Sequence, residues 1–177
     1  RILRERMDKQ MTAKWMLQTK KADFNAIAGR YRISPVTARI IRNRDVQGEE
    51  AVRRYLFGTL DDLYDPHLMK DMDRAVELLK EKIRDQKKIR IVGDYDIDGV
   101  CSTYLLYTGL KRVGAAVDYE IPDRIKDGYG INESIIRDAY ECGIDTILTC
   151  DNGIAAVEQV RLAKELGLTV LITDHHD

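Results

Sequence analysis

Three short stretches hold most of the residues able to do chemistry: Asp94-Tyr95-Asp96-Ile97-Asp98-Gly99, Asp151-Asn152-Gly153 and Asp174-His175-His176-Asp177. Two of the three histidines in the chain stand side by side in the last. Carboxylates crowded into one small volume raise one another's pKa and repel. Divalent cations relieve that repulsion. Oxygen donors with one or two imidazoles suit manganese or magnesium better than zinc, which favours sulfur and nitrogen in a tetrahedron. Asp96 and Asp98 lie two apart, so an extended backbone would turn both carboxylates to one side, one for each of two adjacent cations. Gly99 then allows a tight turn.

These stretches meet only if the fold brings them together. From residue 88 onward, β-branched runs alternate with helical patterns. Strands are expected over 89–92, 116–121, 146–149 and 169–173, with helices over 100–113, 132–142 and 154–166. Alternation of this kind predicts an α/β fold, a Rossmann-like doubly wound parallel sheet, for which we expect strand order 2-1-3-4. Sites in such sheets form at the carboxyl ends of the strands, where each stretch begins. The second strand ends in Pro122-Asp123-Arg124; Asp123 is expected to be a turn residue, and Arg124 is a candidate phosphate contact.

A helical N-terminal region over 1–69 precedes this domain, which is expected over 70–177. Its helices are expected over 22–32, 34–43 and 49–57, the second with Ser34 as N-cap and Pro35 at the first helical position. The spacing of the first two resembles a helix-turn-helix, but nothing marks the second as a reader of bases, so plain packing helices are expected. A longer helix over 70–84 carries Met72, Ala75, Val76, Leu79 and Ile83 as its apolar stripe. His67, in the loop before it, reads as structural.

Composition narrows the class. Residues 1–58 carry 14 Lys and Arg against 6 Asp and Glu, and the remainder carries 15 against 24. A basic segment ahead of an acidic one suits a phosphate-attracting surface beside a cation site, but charge alone is better accounted for by an ordinary solvated helical face. No apolar run reaches the roughly 18 residues of a membrane span. Cys101, Cys142 and Cys150 have no metal-ligand spacing and are expected to be reduced, small core residues in a cytoplasmic protein.

Other motifs compete. The D-x-D-x-D-G run matches the start of an EF-hand loop, but its twelfth position is Leu105 and a strand precedes it. A dehalogenase-type phosphatase would use Asp96 as nucleophile, yet gives no reason for two histidines after the fourth strand. No Gly-rich phosphate loop follows the first strand.

The run Val92 to Gly99, then Asp151-Asn152-Gly153, then Asp174-His175-His176 resembles motifs I, II and III of the DHH phosphoesterases, in order and in place. Ile121 to Arg124 with Gly128-Tyr129-Gly130, and upstream Ala38 to Arg44, Asp65-Pro66 and Met72 to Ala75, are similar to the single-strand-specific exonuclease branch of that family. The resemblance implies two Mn²⁺ or Mg²⁺ ions flanking a shared water. It implies Asp96 and Asp98 each on a metal, Asp151 bridging, and His175 on one metal. His176 would lie at the scissile phosphate, oriented with His175 by Asp174. Relatives often have histidine where this chain has Val92, and Asp94 would take part of that role or support it. The implied activity is 5′-to-3′ removal of nucleotides from single-stranded DNA in repair and recombination. Hydrolysis of a small phosphate substrate, or DNA binding without catalysis, are the alternatives. The family also uses a later aspartate and a second domain, so the chain as written is expected to be weakly active or inactive.

Overall fold

The computed structural model describes residues 20–176. The chain divides into two compact units, Arg1–Asp65 and Pro66–Asp177.

The described part of the first unit is helical: α1 (Phe24–Tyr31), α2 (Pro35–Asn43), α3 (Glu49–Phe57) and a short 3₁₀ turn, Leu60–Asp62. Asp23 caps α1 by accepting from the Ala26 amide, and Ser34 caps α2 by accepting from the Thr37 amide at 3.0 Å. Both bonds satisfy amides that a helix start leaves without partners. Ala28, Ala38, Ile41 and Val52 are buried, and the Arg39 guanidinium lies 4.3 Å from the Phe24 ring centroid. The basic excess of the sequence lies partly within residues 1–19, outside the described residues.

The second unit holds a 3₁₀ turn (Pro66–Leu68), α4 (Met72–Arg84), β1 (Lys88–Val92), α5 (Ile97–Arg112), β2 (Ala116–Glu120), α6 (Glu133–Glu141), β3 (Thr146–Cys150), α7 (Val157–Glu165) and β4 (Thr169–Thr173). All strand pairs are parallel, in the order β2-β1-β3-β4. The order expected from the alternation is therefore observed. β1 and β3 are buried almost throughout, as central parallel strands covered on both faces must be. On one face Leu79 and Ile83 of α4 and Leu106, Tyr107 and Leu110 of α5 pack on Ile89, Ile91, Val117 and Leu148. On the other, Ile135, Ile136 and Ala139 of α6 and Ala163 of α7 pack on Val92 and Ile147.

One strip of that second face is ionic. Arg90 is buried on β1, meets Asp118 through two hydrogen bonds of 3.0 and 2.9 Å, and also reaches Glu120 and Asp138. This ties the edge strand β2 and helix α6 to the centre of the sheet.

Two expectations need correction. α5 begins at Ile97, three residues earlier than the pattern suggested, because Asp96 supplies its N-cap. Cys101 and Cys142 are exposed, and only Cys150 is a core residue; all three are free. Among the described residues no helix is long and apolar enough to cross a membrane. His67 pairs with Asp73, and Asp123 accepts from the amides of Ile125 and Lys126, a turn stabilised by its own side chain.

Candidate metal centre

Parallel pairing sets the carboxyl ends of β1, β3 and β4 side by side, with Val92 opposite Thr149 and Cys150 opposite Thr173. The three motif stretches leave the sheet there.

β1 runs through Gly93 into Asp94. A Cβ at Gly93 would stand 2.0 Å from Thr103 Oγ1, so the chain passes α5 closer than any side chain permits. Asp94 is 2% exposed, and its Oδ1 is buried without a hydrogen-bond partner. Asp96 Oδ1 accepts from the amides of Asp98 and Gly99, both at 3.0 Å. These bonds, that of Gly99 foremost, hold its carboxyl below the usual range. A Cβ at Gly99 would come within 2.4 Å of the Asp94 carbonyl oxygen, so this glycine lets the start of α5 rest on the Asp94 backbone.

β3 ends in Asp151, whose φ of 61° is the left-handed conformation that non-glycine residues rarely adopt. Three contacts hold it there. Its amide donates to the Thr173 carbonyl at 3.0 Å, its carbonyl accepts from the Tyr129 hydroxyl at 3.0 Å, and its Oδ1 lies 2.9 Å from His175 Nε2. Next to it, Asn152 is fully buried. Its Nδ2 donates to the carbonyls of Val92 and Cys150, and its Oδ1 accepts from the Ile131 amide. One side chain thus joins β1, β3 and the loop ahead of α6. Burial pushes the Asp151 carboxyl up, as does the neighbouring Asp96, against the opposite pull of His175.

β4 ends in Asp174. Its Oδ1 accepts from the amides of His175 and His176 and from His176 Nδ1 at 2.7 Å, and its Oδ2 accepts from the Ile154 amide at 2.9 Å. Burial raises its pKa, but these donors outweigh burial and the net direction is down. The bond to Asp174 raises the pKa of His176 above its ordinary value. With Nδ1–H given to Asp174, Nε2 is the outward nitrogen of His176. The His175 and His176 rings lie 4.4 Å apart, and Tyr129 meets His176 edge-on at 6.0 Å.

The outcome is two overlapping donor groups. Asp94, Asp96 and Asp151 form one, and Asp151, His175 and His176 form the other; within each, one ligand atom per residue lies within 4.8 Å of the rest. Asp151 belongs to both, the arrangement a bridging carboxylate needs. The orphaned Asp94 oxygen is a second sign, since a buried carboxylate oxygen without a donor is unfavourable unless a cation faces it. The donors are oxygen and imidazole nitrogen, the set that manganese or magnesium takes.

Asp98 joins neither group. It sits exposed in the first turn of α5, because capping by Asp96 ends the extended backbone on which the shared face of Asp96 and Asp98 depended. The alternating pair in the structure is Asp94 and Asp96. The Arg124 guanidinium lies 5.3 Å from the ring centroid of Tyr95, the residue between Asp94 and Asp96. Tyr129 and Asn152 are site residues that the reading of ionisable groups did not single out. Their only signal was position within the motif text.

Residues 88–177 match the model of the DHH family, N-terminal domain. The chain is 42% identical over 165 residues to the single-stranded-DNA-specific exonuclease RecJ of Bacillus subtilis (strain 168), covering 93% of this chain and 21% of that protein. It is 33% identical over 145 residues to RecJ of Escherichia coli (strain K12), covering 81% and 24%. Among solved structures, RecJ of Thermus thermophilus in complex with Mn²⁺ superposes with a TM-score of 0.60 at 27% identity, covering 95% of this chain and 23% of that one. An exonuclease RecJ bound to manganese gives 0.58 at 39% identity, covering 62% and 28%. The chain thus spans about a fifth to a quarter of the curated relatives it matches.

Proposed function

The chain belongs to the DHH family, and from that membership we propose that it is the metal-binding part of a 5′-to-3′ exonuclease that hydrolyses single-stranded DNA with two divalent cations, Mn²⁺ or Mg²⁺. The observation that carries this reading is the convergence of Asp94, Asp96, Asp151, His175 and His176 from three strand ends, with a buried Asp94 oxygen left open to a cation. The RecJ relatives supply the substrate.

In this reading Asp96 would hold one cation, His175 the other, and Asp151 would serve both, with Asp94 joining or supporting the donors of the first. Asp98, exposed two residues beyond Asp96, is assigned a cation by motif position. Bound cations would supply an acidified water and charge compensation at the phosphate. The residues provide the rest. Asp174 accepts from His176 Nδ1 and favours the protonated imidazole, whose Nε2–H can donate to a phosphate oxygen. Arg124, whose guanidinium rests on Tyr95, is the second phosphate contact in this reading. Tyr129 and Thr173 hold the Asp151 backbone in its strained conformation. Three free cysteines agree with a cytoplasmic location.

The test offers the full-length protein 5′-labelled single-stranded DNA, duplex DNA, pyrophosphate and a cyclic dinucleotide with Mn²⁺, alongside Asp98→Ala and His175→Ala. Nucleotide release from single strands alone, lost in both variants, is expected. Turnover of the small substrates alone, or DNA binding without turnover, overturns the proposal.

A further inference from the structure

Beside the metal centre lies a cavity of about 380 Å³, walled by Tyr129, Ile131, Ile154, Ala155, Gln159 and His176. No Lys or Arg lines it, so it is not built for a phosphate. Asp174 also borders it, but its carboxylate is already taken up by three backbone amides and His176. What remains for a ligand is the Tyr129 ring, aliphatic surface from Ile131, Ile154 and Ala155, and the one side-chain amide of Gln159. Ile154 is 52% exposed and Tyr129 54% exposed, so the apolar wall is open to solvent. Its volume is near the lower end for small-ligand sites, which span roughly 300–1,000 Å³.

We infer that this cavity receives the nucleoside attached to the scissile phosphate, its base against Tyr129 and its edge toward Gln159. The inference rests on the reading of the adjoining centre as a phosphodiester site. His176 belongs to both places: its ring lines the cavity and its side chain is among the grouped donors. A phosphate at His176 would therefore leave one of its nucleosides at the cavity mouth. An aromatic wall favours a flat uncharged heterocycle over a phosphate or a sugar, because every base has a face that stacks. An amide offers both a donor and an acceptor and can turn over to exchange them. Gln159 can then meet any base edge, and little base preference is expected.

The test follows backbone amides by NMR in the Mg²⁺-loaded chain as thymidine 5′-monophosphate is added, with 2′-deoxyribose 5′-phosphate as the probe lacking a base. Thymidine monophosphate is expected to shift residues 130–131 and 154–159, and the baseless probe is not. Ala155→Trp, which fills the cavity from an exposed position, should weaken thymidine monophosphate at least about tenfold, within the range of a lost stacking contact, with the Mg²⁺ affinity kept. Gln159→Ala, a milder change, should weaken thymidine monophosphate but not the baseless probe. Equal shifts from the two probes, or none at the cavity residues, overturn the inference. Hydrolysis plays no part in these readings. Cleavage of single-stranded DNA by the full-length protein without base-dependent shifts refutes the cavity alone, and base-dependent shifts without cleavage by the full-length protein refute the exonuclease reading alone.

Discussion

The hydroxyl of Tyr129 donates to the backbone carbonyl of Asp151 at 3.0 Å, and Asp151 is the residue common to both donor groups. A left-handed φ persists at a non-glycine position only when its surroundings hold it. The bond places that support on a loop between β2 and α6, far from Asp151 in sequence. Tyr129→Phe keeps the ring and deletes the donor. Loss of one such bond is worth about 0.5–1.5 kcal/mol. The variant is expected to bind Mn²⁺ about 2- to 10-fold more weakly in a calorimetric titration, with little change in thermal unfolding of the metal-free chain. Unchanged Mn²⁺ affinity would show that Asp151 holds its conformation without Tyr129.

Asn152 acts on the fold more than on the ions. Its amide serves two carbonyls and one amide in a fully buried position. Asn152→Leu strands all three, and buried polar groups left unsatisfied are unfavourable by about 1–3 kcal/mol each. A loss of about 3 kcal/mol or more in urea unfolding of the metal-free chain is expected. A loss below about 1 kcal/mol, within the range of one ordinary hydrogen bond, would mean that other groups replace this junction.

Gly99→Ala tests the packing of α5 on Asp94. The added Cβ would meet backbone atoms of Asp94 at 2.4–2.6 Å, and backbone cannot swing aside as a side-chain tip can. Overpacking of this kind destabilises by about 1–3 kcal/mol. Mn²⁺ affinity should fall with it, because Asp94 and Asp96 flank the strained contact. A variant with native stability and native metal binding would contradict the geometry.

The His176–Asp174 pair gives the metal-free chain a pH signature. The pKa of His176 is raised above 6.5 by its bond to Asp174. A raised folded value means that protonated His176 stabilises the fold. This contribution is complete below the unfolded value and disappears as pH rises through the folded one. The imidazole signals of His176 should titrate with a midpoint above 6.5. The melting-temperature gap between the wild-type chain and His176→Gln should be widest below pH 6.5 and narrow as pH rises through the raised midpoint. A midpoint below 6.5, or a gap that widens, would contradict the pairing.

The parts of this arrangement differed in how legible they were in the text. β-branched runs bounded by Gly and Asp marked the strands, because a parallel sheet buried on both faces leaves little choice of residue. Ser34-Pro35 and Asn132 marked helix starts because their side chains meet the first amides directly. The start of α5 was misplaced since Asp96 both caps the helix and belongs to the donor cluster, and a reading for metal ligands alone extends the strand geometry past it. Tyr129 and Arg90 act through long-range contacts. A tyrosine in a loop and an arginine in a strand show no periodicity that reveals a partner 22 or 28 residues away. The exposure of Cys101 and Cys142 followed from which helix faces turn outward, something residue type alone does not fix.

Mn²⁺ binding to the chain with Asp151 intact and with Asp151→Asn, followed by the electron paramagnetic resonance signal of free Mn²⁺, bears most directly on the convergence of the strand ends. The substitution keeps size and removes one charge from the residue shared by both groups. Asp151→Asn should release bound Mn²⁺ with affinity lowered more than about tenfold, at least the loss seen when even a supporting residue of a metal site is changed, and the metal-free protein should stay folded. Equal Mn²⁺ binding by the wild-type chain and Asp151→Asn would show that cations are held elsewhere, and that the carboxyl ends of β1, β3 and β4 do not form a metal centre.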